Sequence, residues 1–193
     1  DTLKRPVRYL ARQLPQNTNV LFSIHVDSLY RVMMQDSDNF IAEHLLMMCA
    51  NVLSDSLKPE IAIKFMKENH LRDLPDEPVW VDGSGLSRYN LFTPRSIVKL
   101  WQKISEIIPQ ERLFPLLATG GVNGTIRKWY SAERPYIFGK TGSLSNNHCL
   151  SGFLVTKKGK VLIFSFMNNN YTTTTNSVRK NMQTILQNIY EHY

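Results

Sequence analysis

Two short strings, Ser37-Asp38-Asn39 and Lys140-Thr141-Gly142-Ser143, hold the side chains of an acyl-transfer toolkit. The Ser37 hydroxyl can relay a proton. The Asn39 amide can hold a substrate amide or fix a neighbouring lysine. The Lys140 ammonium can keep charge beside the relay and tune its pKa. Lys140 follows apolar Tyr136, Ile137 and Phe138 and stands between Gly139 and Gly142, a place where a buried strand does not favour a cation. Gly142 lets a substrate backbone lie close against the strand. Thr141 and Ser143 offer hydroxyls to a substrate carboxylate, and the Ser143 main-chain N–H could meet an oxyanion. Alone, each string is ordinary, the first as a helix cap and the second as a turn.

The elements around these strings follow from periodicity and punctuation. Residues 3–14 read as a helix, 19–26 as a strand or extended segment, and 28–34 as helical. "QDSDN" (35–39) is a break rich in capping residues before a strongly apolar helix over 40–53, so Ser37 sits where a helix opens. Pro59 opens a helix over 59–70, and 79–90 is a short apolar stretch followed by a glycine-punctuated loop. Thr93 caps and Pro94 starts a helix over 93–108 with Ile97, Trp101, Ile104 and Ile108 on its apolar face. "ATGGVNGT" (118–125) reads as a glycine loop. Three strands follow, over 136–144, 149–156 and 161–168, the last two joined by the "KKGK" turn. "NNNYTTTTN" (168–176) is a polar loop, and 176–193 closes as an amphipathic helix with Val178, Met182, Ile185 and Ile189 inward. Helices, then a small antiparallel sheet, then a helix on that sheet make an α+β pattern. A three-stranded sheet leaves an edge that needs covering, which implies further strands.

The chain has 193 residues, 42% of them hydrophobic and 20% charged, which fits one globular domain. No apolar run approaches the roughly 20 residues that span a bilayer. The net charge of +7 is spread out, which favours solubility over an anionic partner. Nucleic-acid binding would rest on that charge alone, and it is not expected. His25, His44, His70 and His192 have no ligand spacing, so no metal and no cofactor is expected. Cys49 and Cys149 cannot make a disulfide framework.

Taken together, in this order and roughly a hundred residues apart, the two strings match the S-D-N and K-T-G elements that accompany S-x-x-K in penicillin-binding proteins and class A β-lactamases. "SDNFIAEHLL" (37–46), "VDGSGLSRYNLFTPR" (81–95), "GGVNGT" (120–125) and "GKTGSLSNNHCLSGF" (139–153) closely resemble the low-molecular-mass penicillin-binding proteins of the D-alanyl-D-alanine carboxypeptidase/endopeptidase type, the dacB-like or penicillin-binding protein 4 family. The resemblance spans nearly the whole chain. It implies a penicillin-binding, serine β-lactamase-like transpeptidase fold, an antiparallel sheet flanked by helices. It also implies a periplasmic or otherwise extracytoplasmic serine peptidase. Such an enzyme cleaves the D-Ala-D-Ala end or the D-Ala cross-link of peptidoglycan stem peptides and is acylated by β-lactam antibiotics. Ser37, Asn39 and Lys140 then take the catalytic roles, and Thr141, Gly142 and Ser143 the substrate-binding ones.

The family's nucleophile lies in Ser-x-x-Lys upstream of S-D-N. Residues 1–36 hold only Ser23 and Ser28, neither followed by lysine at the third position. Ser96-Ile97-Val98-Lys99 and Ser177-Val178-Arg179-Lys180 match the spacing but come in the wrong order, and a helical wheel puts them off the apolar stripe. A lysine in water, with a pKa near 10.4, is a poor base at neutral pH. The expectation is therefore a C-terminal portion of the peptidase domain, residues 1–193, that lacks the nucleophile helix, is inactive alone, and has the N-terminal portion of the same protein as its partner. A homologue that has lost its nucleophile and only binds wall peptides is the alternative. A class A β-lactamase would need a deacylating glutamate, and none of Glu60, Glu68, Glu77, Glu106, Glu111 or Glu133 stands in that loop's context. Arg88 either pairs with the substrate carboxylate or bonds loop carbonyls. Asp38 reads as a helix cap, Asp82 as a turn former and His148 as a solvated loop residue.

Overall fold

The computed structural model describes residues 23–193, so the helix expected over 3–14 and most of the extended segment over 19–26 lie outside it. Residues 23–25 are irregular, and His25 caps helix α1 (Val26–Gln35). Asp38 caps α2 (Asn39–Ser54), its carboxylate accepting from the Ile41 N–H at 2.8 Å, which is the expected capping role. Pro59 starts α3 (Pro59–Asn69). Thr93 caps α4 (Pro94–Ile107), and a single turn, α5 (Gln110–Leu113), follows. No described helix is long and apolar enough to cross a membrane.

The three expected strands form as β2 (Ile137–Leu144), β3 (Asn147–Val155) and β4 (Val161–Asn169). A two-residue strand, β1 (Ala118–Thr119), precedes them inside the stretch read as a glycine loop. The sheet is antiparallel in the order β1-β2-β3-β4. Helix α6 (Thr175–His192) ends the chain.

The sheet's two faces go to two cores because successive strand residues point to opposite sides. Ile137, Leu150 and Leu154 pack with Val178, Met182 and Leu186 of α6. Val178, Met182 and Ile189 face this core as expected, whereas Ile185 is exposed and Leu186 takes its inward place. On the other face Phe153 packs with Trp101 of α4 and Phe114, and Phe138 stacks on Phe114 with ring centroids 4.3 Å apart. Fully burying a side chain of this size stabilises the fold by about 1.5–3 kcal/mol. The same contacts fix the strand two residues before Lys140. Helices α2 and α3 make a third cluster around Leu46, Ala50, Ala62 and Ile63.

Ser96 departs from the helical wheel. It is only 1% exposed, with its hydroxyl bonded to the Asp76 carbonyl at 3.0 Å. The incoming 71–78 loop covers the start of α4, and the wheel cannot register that cover. Ser177 and Lys180 are exposed, as expected.

Candidate active site

Residue 37 is the corner between two helices. The Asp36 N–H still bonds the Val32 carbonyl at 3.0 Å, and Asp38 already caps α2. The whole change of direction falls on Ser37, whose φ of 61° is in the left-handed region that a side chain disfavours. Two tethers hold α1, one at each end. At the corner Gln35 Nε2 donates to the Pro115 carbonyl at 2.8 Å, and at the other end of α1 Arg112 grips the Asp27 carboxylate with two bonds of 3.0 and 2.8 Å. Gly124 packs beneath the corner. A Cβ there would stand 2.6 Å from the Gln35 carbonyl and 2.7 Å from Ala118 Cβ, at a φ of 62°, so only glycine fits.

This geometry brings the Ser37 hydroxyl to Lys140, whose Nζ donates to Ser37 Oγ at 2.5 Å and to the Thr141 carbonyl at 2.7 Å. An ammonium has three donors, so one stays available. Burial pushes the Lys140 ammonium down to about 8. No carboxylate bonds it among the described residues to oppose that shift.

Beyond Lys140 the strand changes character. β1 covers β2 only at Phe138 and Gly139, so residues 140–144 pair with β3 on one side and with no described strand on the other. Gly142 has open space where a Cβ would be. Thr141 Oγ1 donates to Thr125 Oγ1 at 2.8 Å, tying the strand to the 120–125 loop. Ser143 is exposed, but its hydroxyl lies 2.7 Å from Nδ1 of His148. His148 is not the solvated loop residue expected from sequence. It belongs to β3, is 2% exposed, and has its ring pKa pushed down to about 4 by burial and by the nearby Arg179 charge. The signal that would have found it is the cross-strand register Ser143↔His148, which depends on where the hairpin turns.

Asn39 is the first residue of α2 and exposed, and its side chain makes no hydrogen bond among the described residues. Arg88 donates to the Ser145 carbonyl at 3.5 Å, so in this structure it ties its loop to the β2–β3 turn. That loop is closed by a Val79–Leu91 bridge and built around Asp82, which accepts from the Gly85 and Ser87 N–H groups and from Asn90 Nδ2. Glu43 is a residue the sequence did not single out. Its carboxylate accepts from the Gly83 and Ser84 N–H groups at 2.9 and 3.0 Å and so fastens the loop to α2, one turn below Asn39. A cavity of about 880 Å³ lies elsewhere, between α3 and the 71–81 segment over Ile63, Leu71, Leu74 and Trp80. The candidate chemistry is at an open strand edge and not in that cavity.

Comparison with known proteins gives the family and the fold. A model of the D-Ala-D-Ala carboxypeptidase 3 (S13) family matches residues 10–191. The chain is 28% identical over 178 residues to the D-alanyl-D-alanine carboxypeptidase DacB of Haemophilus influenzae, covering 86% of this chain and 37% of that protein. It is 30% identical over 151 residues to the carboxypeptidase DacB of Mycolicibacterium smegmatis, covering 72% of this chain and 33% of that protein. It therefore spans about a third of the length of these relatives. Penicillin-binding protein 4 of Haemophilus influenzae, solved in complex with a β-lactam, superimposes with a TM-score of 0.75 at 24% identity over 86% of this chain and 41% of that one. The fold is the penicillin-binding, β-lactamase-like one.

Proposed function

The chain belongs to the D-Ala-D-Ala carboxypeptidase 3 (S13) family, and on that premise we propose that it carries the proton-relay and substrate-gripping elements of a serine-type peptidase. Its substrates are peptidoglycan stem peptides ending in D-Ala-D-Ala, or their D-Ala cross-links, cleaved through an acyl-enzyme outside the cytoplasm. β-Lactams acylate the same enzyme. The observation that carries this reading is the Lys140–Ser37 hydrogen bond.

In this mechanism the scissile peptide lies along the open edge of β2 as an added strand, with main-chain bonds supplying the grip. Gly142 leaves room for its backbone, and the Ser143 hydroxyl receives its terminal carboxylate; the Thr141 hydroxyl joins it by turning its proton away from Thr125 Oγ1. Arg88, at the far end of the strand, adds positive charge near that end. The departing D-alanine needs a proton on its amine. Ser37 gives its own and is resupplied by Lys140, whose pKa of about 8 suits proton transfer near neutral pH. Asn39 holds the substrate amide. The nucleophilic serine and its base lysine come from outside these 193 residues. Ser96 is buried against Asp76, and Ser177 stands exposed on α6, so neither serves.

The test is labelled penicillin added to the full-length protein that contains this chain. The wild type should retain the label covalently. Lys140→Ala should cut the acylation rate by about 10²–10³-fold, the usual effect of losing one charge-stabilising donor, in a protein that still folds. Unchanged acylation in that variant would remove Lys140 from the mechanism.

A further inference from the structure

His148 has no part in the roles assigned so far, yet it is in direct contact with one of the residues that grip substrate. Ser143 and His148 face each other across the β2–β3 ladder, and the 2.7 Å bond between Oγ and Nδ1 joins them. The ring lies on the face of β3 that also carries Leu150 and Leu154 into the α6 core. Its main-chain carbonyl is held by Asn168 Nδ2 at 3.3 Å. Buried, with the Arg179 guanidinium as the charge that acts on it, the imidazole is neutral throughout the working pH range and holds a single N–H.

We propose that His148 is a positioning residue for carboxylate recognition: its Nδ1–H donates to Ser143 Oγ and thereby turns the Ser143 hydroxyl proton outward, toward the terminal carboxylate of the substrate. The inference rests on the peptidase reading above. The reason is donor arithmetic. A hydroxyl has one proton to give and two lone pairs to receive with, whereas a carboxylate only receives. If Ser143 gave its proton to His148, nothing would remain for the substrate. If the ring donates, one lone pair of Ser143 is occupied and its proton is free on the exposed side of the strand. A neutral ring provides this direction without placing a charge in the α6 core, where an unpaired cation would be costly.

The test compares two peptides in the full-length protein, one ending in free D-Ala-D-Ala and the same peptide as its terminal carboxamide. His148→Phe should raise KM for the free acid about 10- to 100-fold, the effect of one hydrogen bond to a charged acceptor, with kcat little changed. The carboxamide should lose no more than about twofold in kcat/KM. His148→Asn, whose side-chain N–H can stand where Nδ1–H stood, should regain most of the loss. Equal losses on both peptides, or no rescue by asparagine, would overturn the role and leave the peptidase reading intact. A wild-type protein that cleaves neither peptide would overturn that reading, and this inference with it. A further measurement needs no catalysis: nitrogen-15 spectra of the 193-residue chain should show the His148 proton on Nδ1. A proton on Nε2 would refute the proposal. The spectrum and the asparagine variant carry the test if His148→Phe does not fold.

Discussion

Lys140 Nζ donates to Ser37 Oγ at 2.5 Å across 103 positions of sequence. Each partner reaches that contact at a cost to the fold. Ser37 holds a left-handed backbone, and Lys140 keeps its ammonium half-buried with no carboxylate bonded to it among the described residues. Two unfavourable features that meet at one hydrogen bond, in an otherwise regular corner and strand, are what a site built for chemistry shows.

The cost at Ser37 can be separated from its chemistry. Ser37→Gly removes the hydroxyl and also relieves the left-handed strain, worth about 1–2 kcal/mol. Ser37→Ala removes the hydroxyl and keeps the strain. Glycine should therefore be the more stable of the two variants in urea, by about 1 kcal/mol, while both lose penicillin acylation in the full-length protein to the same degree. An alanine variant as stable as glycine would mean the corner is not strained.

Lys140 gives stability and activity opposite dependences on pH. Its folded pKa of about 8 lies below its unfolded value, so the unfolded chain binds the extra proton as pH rises above 8. The penalty for burying the ammonium is full below pH 8 and is lifted as the pH rises toward the unfolded pKa. The Lys140 contribution to stability should climb through this window, read as the difference between the wild type and Lys140→Met. Acylation that needs the ammonium should decline through the same window. Denaturation series are best kept below pH 10. Burial holds Tyr136 up at about 12 and raises Tyr130 further, so ionisation of these tyrosines in the unfolded chain then lowers stability. The Cys149 thiol, raised by burial, lowers stability in the same window but is common to both proteins, so a stability difference between wild type and Lys140→Met that stays flat from pH 7.5 to 9.5 would contradict the depressed lysine.

Much of this architecture is legible in the sequence where a local signal exists. Asp38, Pro59, Thr93 and Pro94 mark helix starts, and the three long strands carry their alternation. The missing parts lack any such signal. β1 has two residues, too few to show a period. Glu43 looks like any helix-surface carboxylate, yet it fastens backbone N–H groups 40 and 41 positions away. His148 is the second residue of β3 after the turn, where a shift of register by one would have turned it to the other face. Ser96 is off its helix's apolar stripe but under a loop, and a wheel describes a helix without its neighbours. The Ser37–Lys140 meeting was legible only as a resemblance, because nothing in either string dictates that a helix corner and a strand will touch.

Two glycines on neighbouring strands should behave in opposite ways. A Cβ on Gly152, at a φ of 148°, would stand 2.2 Å from the Phe138 carbonyl and 2.6 Å from Gly139 Cα. Gly152→Ala therefore forces β2 and β3 apart and should destabilise the chain by about 2 kcal/mol or more. A Cβ on Gly142 meets nothing within 4 Å. Gly142→Ala should leave the melting temperature nearly unchanged and still slow acylation in the full-length protein, because the methyl group occupies the space into which the substrate strand must come. Normal acylation with Gly142→Ala would move the substrate off this edge.

The 193-residue chain by itself should be silent toward penicillin. An attacking hydroxyl must hand its proton to an adjacent base. The Ser37 hydroxyl accepts from an ammonium, which has no lone pair to take a proton until it titrates near 8. Ser143 has a nitrogen beside it, but burial holds the His148 ring near 4 and makes it too weak a base to activate a serine. Ser151 accepts from the Trp101 indole N–H, and Ser96 is enclosed against Asp76. Ser177 is spent on the Thr174 cap at the exposed start of α6. None of these serines has a working base beside it, and the Ser165 hydroxyl, buried in β4 without a hydrogen-bond partner, has none either. Incubating the purified chain with excess labelled penicillin and weighing it intact should show no adduct, while the full-length protein under the same conditions should gain one penicillin. A stoichiometric adduct on the isolated chain would place the nucleophile within these residues, and peptide mapping would identify it.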